Sequence, residues 1–462
     1  THFFFFFYMK LQNWWFTTLL GTEESILPPL KGDIKADVVI VGAGAAGLAA
    51  AHRLMDKQLK VVILEKNICG GDTSGKSAGF LTPDSELELS QLIRRFGITG
   101  ASDLWKIATT GVIMMHHIIE TNKIVCDFQV QDSLFLGIGK GGWQDIIEEM
   151  ESRKLLKFDQ QLYSKENIRS IIGSDAYSGA VRYTGTFGID ALLYCQGMKK
   201  LLLENGVEIY ESSEVVKIED HCVKTHLGSV KAEQVIFCAD KLQHELTHYA
   251  DKVYHAQTFL SVSEPMSDAM ITDMFPAGKF QCWDTDVVYS YFRLLGSNRL
   301  LLGGGDMLTT FSKQDVNSSI VIDRVIRKFK QKFPKLKDLE FVQYWPGRID
   351  CTRDLLPTIA RDENKKWLHF VLGCVGLPWA TFCGDFAARH AYDDAACNDH
   401  HYYNYLRPDR GFFVPLWLEK VLSKQIVFSL NNGWAKYYQV DINAAETKQI
   451  TRMREAENAN LQ

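Results

Sequence analysis

Apolar positions in this chain change period along its length, and the changes mark its elements. Asp37 to Val41 (DVVIV) is a short β-branched run, the pattern of a strand buried on both faces of a parallel sheet. Gly42-Ala-Gly-Ala-Ala-Gly47 follows, then Leu48 to Gln58, rich in helix-favouring residues. Leu59 to Glu65 (LKVVILE) returns to strand patterning and ends on an acid. Together these segments form one βαβ unit.

Further on, residues 85–124 pattern mostly as helix, and 126–189 mixes short strands and helices. Asp190 to Asn205 reads as a helix, with Gly206 just past its end where left-handed backbone is wanted. Strands are expected at Val207–Tyr210, Val215–Ile218, Cys222–His226 and Gln234–Cys238. Residues 256–305 read as antiparallel strands broken by turns. Ser318 to Phe333 is a helix closed by Pro334, Trp367 to Leu372 a strand running into Gly373, and Thr381 to Tyr392 a helix. The order predicts an α/β (α+β) fold, with a Rossmann-type nucleotide domain assembled from residues 33–105, 190–258 and 345–400. An antiparallel β-sheet substrate domain (106–189 and 259–344) is inserted into it. An N-terminal arm (1–32) and a C-terminal tail (401–462) flank the two.

Composition narrows the classes. With 462 residues, 46% hydrophobic and 23% charged, the chain is ordinary globular protein, long enough for two domains. A formal net charge of −5 gives no basic face for nucleic acid. Ten cysteines without a CxxC pair or a regular framework fit a reducing, cytoplasmic setting, and no metal-ligand spacing is visible. The aromatic run Phe3–Tyr8 with Trp14-Trp15-Phe16 is too short to span a bilayer. It is expected to pack on the body, with an interfacial membrane contact as the alternative. Phe412 to Leu430 is apolar but carries Pro415, Glu419, Lys420 and Lys424, which argues for a docked or interfacial helix rather than a span. Peripheral membrane contact therefore stays open.

The chemistry begins at Gly42-x-Gly44-x-x-Gly47 between strand and helix. Gly42 permits the tight turn, Gly44 lets a pyrophosphate approach past Ala45 and Ala46, and Gly47 lets helix and sheet pack closely. The helix N-terminus then faces the phosphates. Glu65 stands where a carboxylate binds ribose hydroxyls. The loop Cys69-Gly-Gly-Asp-Thr-Ser-Gly-Lys-Ser-Ala-Gly79 is small and hydroxylated, suited to wrapping a phosphate and ribityl chain, which favours FAD over NAD. A helix near Ala380, with N–H groups from Gly376 to Thr381, would stabilise negative charge on a reduced flavin.

At this point the chain resembles the D-amino-acid oxidase-like superfamily of FAD enzymes, the group of glycine oxidase, sarcosine oxidase and gamma-glutamylputrescine oxidoreductase. Thr73-Ser-Gly-Lys-Ser-Ala-Gly79 is similar to that family's Ser-Gly-Arg-Asn-Gly-Gly loop, with Lys76 in the arginine's place. Cys126-Asp-Phe128, Gly188-Ile-Asp190, Trp345-Pro-Gly347-x-x-Asp350-x-Thr352-x-Asp354-x-x-Pro357 and Gly373-x-x-Gly376-Leu-Pro-Trp-Ala-x-x-x-Gly384 resemble further segments of it. The resemblance covers residues 14–395 and departs at Leu377-Pro378-Trp379. It implies non-covalent FAD held by Gly42 to Gly47, Glu65, Lys66, Asp72, Thr73, Ser74, Lys76, Ser77, Ala78, Gly79, Val215, Val216, Ala239, Gly347, Gly373, Gly376, Leu377, Pro378, Trp379 and Ala380.

In amino-acid-oxidising members an arginine grips the substrate carboxylate, and the matching position here is Ile349. Arg348 is adjacent and points to the other face of a strand. The missing clamp favours an amine over a simple α-amino acid. Arg293 is the candidate replacement, and Tyr291, Trp283 and Trp379 are candidate aromatic walls for an alkylammonium. The expected reaction is oxidation of a C–N bond by hydride transfer to flavin N5, with oxygen or quinone as acceptor and no assigned general base. An amino-acid or hydroxy-acid dehydrogenase feeding a membrane quinone, and a non-catalytic flavin-binding protein, are the alternatives.

Overall fold

The computed structural model describes residues 9–410, apart from 84–85, 160, 241–245, 287–288, 306–317 and 393–399. The aromatic run Phe3–Tyr8 and the apolar segment Phe412–Leu430 lie outside the described residues.

The first sheet follows from the buried β-branched runs. Its order is β10 (Glu208–Tyr210), β3 (Val61–Leu64), β2 (Gly32–Val41), β13 (Gly228–Phe237), β12 (Cys222–Thr225) and β11 (Val215–Glu219). β20 (Leu368–Leu372) joins the far end of β13 and carries β19 (Thr358–Arg361). β10, β3, β2, β13 and β20 are parallel neighbours, and Val38, Val39, Ile40, Val62, Ile63 and Ile236 have no solvent exposure. Double-sided burial of this kind needs helices as cover. α2 (Ala45–Leu54), α6 (Ala191–Glu204) and α9 (Leu377–Tyr392) contribute to the same apolar core, as does the long α3 (Leu89–Asn122), which bends at Gly97.

The second sheet has nine strands. Its order is β1 (Lys10–Leu11), β18 (Phe341–Cys351), β14 (Tyr254–Pro265), β17 (Arg299–Gly304), β16 (Tyr291–Leu294), β15 (Phe280–Asp284), β6 (Asp132–Gly137), β8 (Gly179–Tyr183) and β7 (Gln161–Ser164). One face packs under α7 (Asp268–Met274) and α8 (Ile320–Lys332), burying Phe259, Phe292, Leu302 and Phe329. A small third sheet joins β4 (Phe80–Leu81), β9 (Phe187–Gly188) and β5 (Gln129–Val130). The remaining described helices are α1 (Trp14–Leu19), α4 (Gly139–Leu155), α5 (Arg169–Ile172) and α10 (His400–Leu406).

Several local expectations are corrected. β13 spans ten residues, not the five of Gln234–Cys238, because its first half pairs with β2 on one side and β12 on the other. The second sheet is not wholly antiparallel: β15 runs parallel to β6, a partner far away in sequence. The expected boundaries at 258/259 and 344/345 fall inside β14 and β18, two continuous strands paired along Tyr254–Ser263. Among the described residues no helix is long and apolar enough to cross a membrane.

Candidate active site

The phosphate loop closes the carboxyl end of β2. Gly42 has φ +98°, and a Cβ there would come within 3.1 Å of the Cys238 carbonyl and the Ala239 backbone. A Cβ at Gly47 would overlap the Gly42 carbonyl oxygen, so α2 starts hard against the turn. Glu65, at the end of β3, accepts the N–H groups of Ala43 and Asn67, each at 2.8 Å. Burial raises the Glu65 carboxyl and these two bonds oppose it. The Ser74 hydroxyl accepts from the Ala45 N–H at 3.0 Å, so a loop oxygen already caps α2. Asp72 pairs with Lys76 at 3.0 Å and Lys66 at 3.3 Å.

These groups line an open cleft. Of the predicted cofactor residues, Gly42, Gly44, Glu65, Lys66, Asp72, Thr73, Ser74, Val215 and Ala239 line it. Ala45, Ala46 and Gly47 lie just beneath, in the first turn of α2. Val216 does not line the cleft and its side chain is 41% exposed, at an irregularity of β11 between Val215 and Lys217. The glycine cradle, the buried acid and the loop hydroxyls fit the nucleotide half of FAD in donor chemistry.

The second loop is held by its carbonyls. Asn13 Nδ2 donates to Gly75 O at 2.7 Å, Trp345 Nε1 to Lys76 O at 3.1 Å, and Trp15 Nε1 to Ser77 O at 2.8 Å. Arg293 Nε donates to Ala78 O at 2.9 Å. Four consecutive carbonyls are thus fixed by donors from the arm, β18 and β16. Gly79 follows at φ +69°, where a Cβ would overlap the Ile189 carbonyl.

This arrangement corrects the reading of Arg293. Its side chain is fully buried, and a second bond runs to Ile189 O at 2.5 Å. Its Nε and Nη2 anchor the loop, while Nη1 is buried without a hydrogen-bond partner among the described residues. Burial also lowers its pKa to about 10, against the nearby Asp127 and Asp190. Trp379 is corrected too: it is 1% exposed, within the core that α9 shares with α2 and α3. Trp283 is buried, its indole donating to Glu88 at 3.0 Å.

Tyr291 does stand on the sheet face turned towards the loop. Its ring crosses Gly303, which leaves no room for a side chain there, and its hydroxyl lies 3.4 Å from Thr258 Oγ1. Thr258 is opposite Gly347, and Ala256 opposite Ile349, so Tyr291, Thr258, Gly347 and Ile349 share one face. Arg348 points the other way by the same alternation. Burial pushes the Tyr291 hydroxyl up to about 12.

Glu86 was not anticipated. It lies between β4 and α3, half-buried, and accepts the Tyr289 hydroxyl at 2.9 Å. Tyr289 lies beside Tyr291, the rings tilted at 52° with centroids 5.6 Å apart. No periodic pattern marks such a loop acid. Only its placement beside two tyrosines from a distant strand gives it meaning.

The α9 N-terminus begins at Leu377, four residues before the expected Thr381. Pro378 is tolerated in a first turn, where its missing N–H is no loss. The Ala380 N–H is bound to Gly376 O at 3.1 Å, which leaves Leu377 and Trp379 as the early amides without an intrahelical acceptor. Gly376 has φ +96°, and Gly373 fits against Thr352. Cys351 is buried and its thiol donates to Tyr254 O at 3.6 Å. Among the described residues no group of side chains could hold a metal ion.

A family profile described as FAD dependent oxidoreductase matches residues 37–390. The chain belongs to this family. The oxidoreductase is 30% identical over 346 residues to a probable oxidoreductase OrdL of Haemophilus influenzae, covering 72% of this chain and 78% of that one. It is 27% identical over 350 residues to gamma-glutamylputrescine oxidoreductase of Escherichia coli, covering 74% and 80%. Its fold is shared with glycine oxidase from Geobacillus kaustophilus, at a TM-score of 0.70 and 19% identity over 82% of this chain and all of that one. The resemblance to the D-amino-acid oxidase-like enzymes and the α/β fold with an FAD-binding portion are therefore established.

Proposed function

We propose that this oxidoreductase oxidises the C–N bond of an amine rather than of a simple α-amino acid, with FAD bound non-covalently. The observation that carries the reading is the placement of Ile349 and Arg293. Ile349 stands where the resemblance places a carboxylate clamp, and Arg293 directs Nε and Nη2 to the carbonyls of Ala78 and Ile189. The related gamma-glutamylputrescine oxidoreductase acts, by its name, on an amine derivative.

The residues of Gly42–Gly47, Glu65 and the 73–79 loop would hold the cofactor. When bound, FAD would supply the hydride acceptor at N5 for oxidation of the amine to an imine, which water would hydrolyse to a carbonyl compound. The chain's own part is positioning. Tyr291, Ile349 and Thr258 wall the substrate, while the fixed 75–78 carbonyls keep the loop from moving. Identifying the carbonyl product by trapping it as a hydrazone, with the FAD-loaded protein and a panel of amines, tests the reading. Carbonyl product from amines supports it, and product from α-amino acids alone overturns it.

A further inference from the structure

Among the described residues Glu86 is a carboxylate with no cationic partner. Among the described residues its one partner is the Tyr289 hydroxyl, which can donate only one proton to its two oxygens. Half-buried carboxylates ordinarily sit against lysine or arginine, because desolvating an unpaired charge is costly. The neighbours here are instead aromatic: Tyr289, then Tyr291 at 5.6 Å, then Phe80 edge-on to Tyr291 at 6.0 Å. Tyr291 is itself the residue that reaches Thr258, across from Gly347 on β18. A negative charge flanked by π-faces is the combination that recognises an organic cation.

We infer that Glu86, framed by Tyr289 and Tyr291, binds a second, non-reacting cationic group of the substrate, so that the enzyme prefers α,ω-dicationic amines over monoamines. The inference rests on the amine reading above and adds the substrate's charge pattern. Burial lifts the Glu86 carboxyl to about 7, with the Tyr289 bond opposing, and an arriving ammonium would favour its ionised form.

The experiment uses the FAD-loaded protein, wild type and Glu86→Gln. Anaerobic reduction of the flavin is compared for n-alkylamines and α,ω-diamines of equal chain length. In parallel, calorimetry follows binding of an α,ω-bis(trimethylammonium) alkane, which has no nitrogen lone pair and cannot react. Wild type is expected to half-saturate at about tenfold lower concentration with the diamine, and Glu86→Gln to erase that advantage while still reacting with the monoamine. Dication binding is expected in wild type and lost in the variant. Tyr289→Phe, which keeps the charge, should retain the preference. Equal half-saturation for the two series, or no dication binding to wild type, overturns the inference. Dication binding that depends on Glu86, with no amine reducing the flavin, supports the cation site and instead overturns the amine-oxidation reading.

Discussion

The indole N–H of Trp15 donates to the carbonyl of Ser77 at 2.8 Å, tying the N-terminal arm to the loop proposed to wrap the cofactor. Trp15 is 1% exposed and packs edge-on to Trp345, whose own indole holds the next carbonyl back, that of Lys76. The arm is therefore part of the site's wall, with Asn13 on Gly75 and Thr18 on Asp190, the residue that caps α6.

Replacing Trp15 separates packing from hydrogen bonding. Trp15→Phe keeps most of the apolar volume and loses the donor, leaving Ser77 O without it, at a cost of about 1–3 kcal/mol. We expect a folded protein that holds FAD several-fold more weakly, read from the recovery of free-flavin fluorescence on dilution. Trp15→Ala should cost about 3–5 kcal/mol and lower the Tm as well. Unchanged FAD retention in Trp15→Phe would mean the loop is held without the arm.

Arg293 offers a test of anchor against clamp. Arg293→Met removes donors from two buried carbonyls and should destabilise by about 2–5 kcal/mol in urea titration, while FAD occupancy drops. At saturating FAD the KM for amines should stay close to wild type. A selective rise in KM for acidic substrates, at unchanged stability, would return Arg293 to the substrate.

Helix packing beneath the site leaves no room at Gly384, where a Cβ would overlap the Ala46 carbonyl in the first turn of α2. Gly384→Ala must push α9 away from α2 and should cost roughly 1–3 kcal/mol. Because α2 starts at the phosphate loop, weakened FAD binding should accompany the loss. Calorimetric melting of the apo and FAD-loaded forms would show whether the two move together.

Glu86 gives a pH signature with a definite sign. Its folded-state value is about 7 against an ordinary 4.5, with Tyr289, Tyr291 and Cys351 as its titratable neighbours. Between these limits the unfolded chain has released the proton and the folded chain keeps it. Stability is therefore lost as pH rises from 4.5 to about 7. Glu86→Gln removes this loss, so the variant should gain on wild type by roughly 1–2 kcal/mol between pH 5 and pH 8, allowing for partial solvent access. A difference that does not change with pH would contradict the raised carboxyl.

How much of this was legible depended on the range of the forces involved. Gly42, Gly47 and Glu65 act through local backbone geometry and strand ends, so spacing alone placed them. Ile349 came from the family resemblance, as the position matching its carboxylate-gripping arginine. Trp15 and Ser77 are 62 residues apart, and no local pattern announces their bond. Arg293 carried a charge that suggested a ligand or an exposed surface. Its fate depended on the carbonyls of Ala78 and Ile189, which only the folded chain brings together. Glu86 was hidden for the same reason, since its meaning comes from tyrosines two hundred residues downstream.

Anaerobic mixing of the FAD-loaded protein with amines and with simple α-amino acids, followed at the oxidised flavin band near roughly 450 nm, tests the central claim most directly, because the cofactor itself reports the chemistry. The account predicts bleaching by amines and little change with glycine, alanine or proline. Rapid bleaching by those amino acids, with amines inert, would contradict it and require a carboxylate partner other than Arg293.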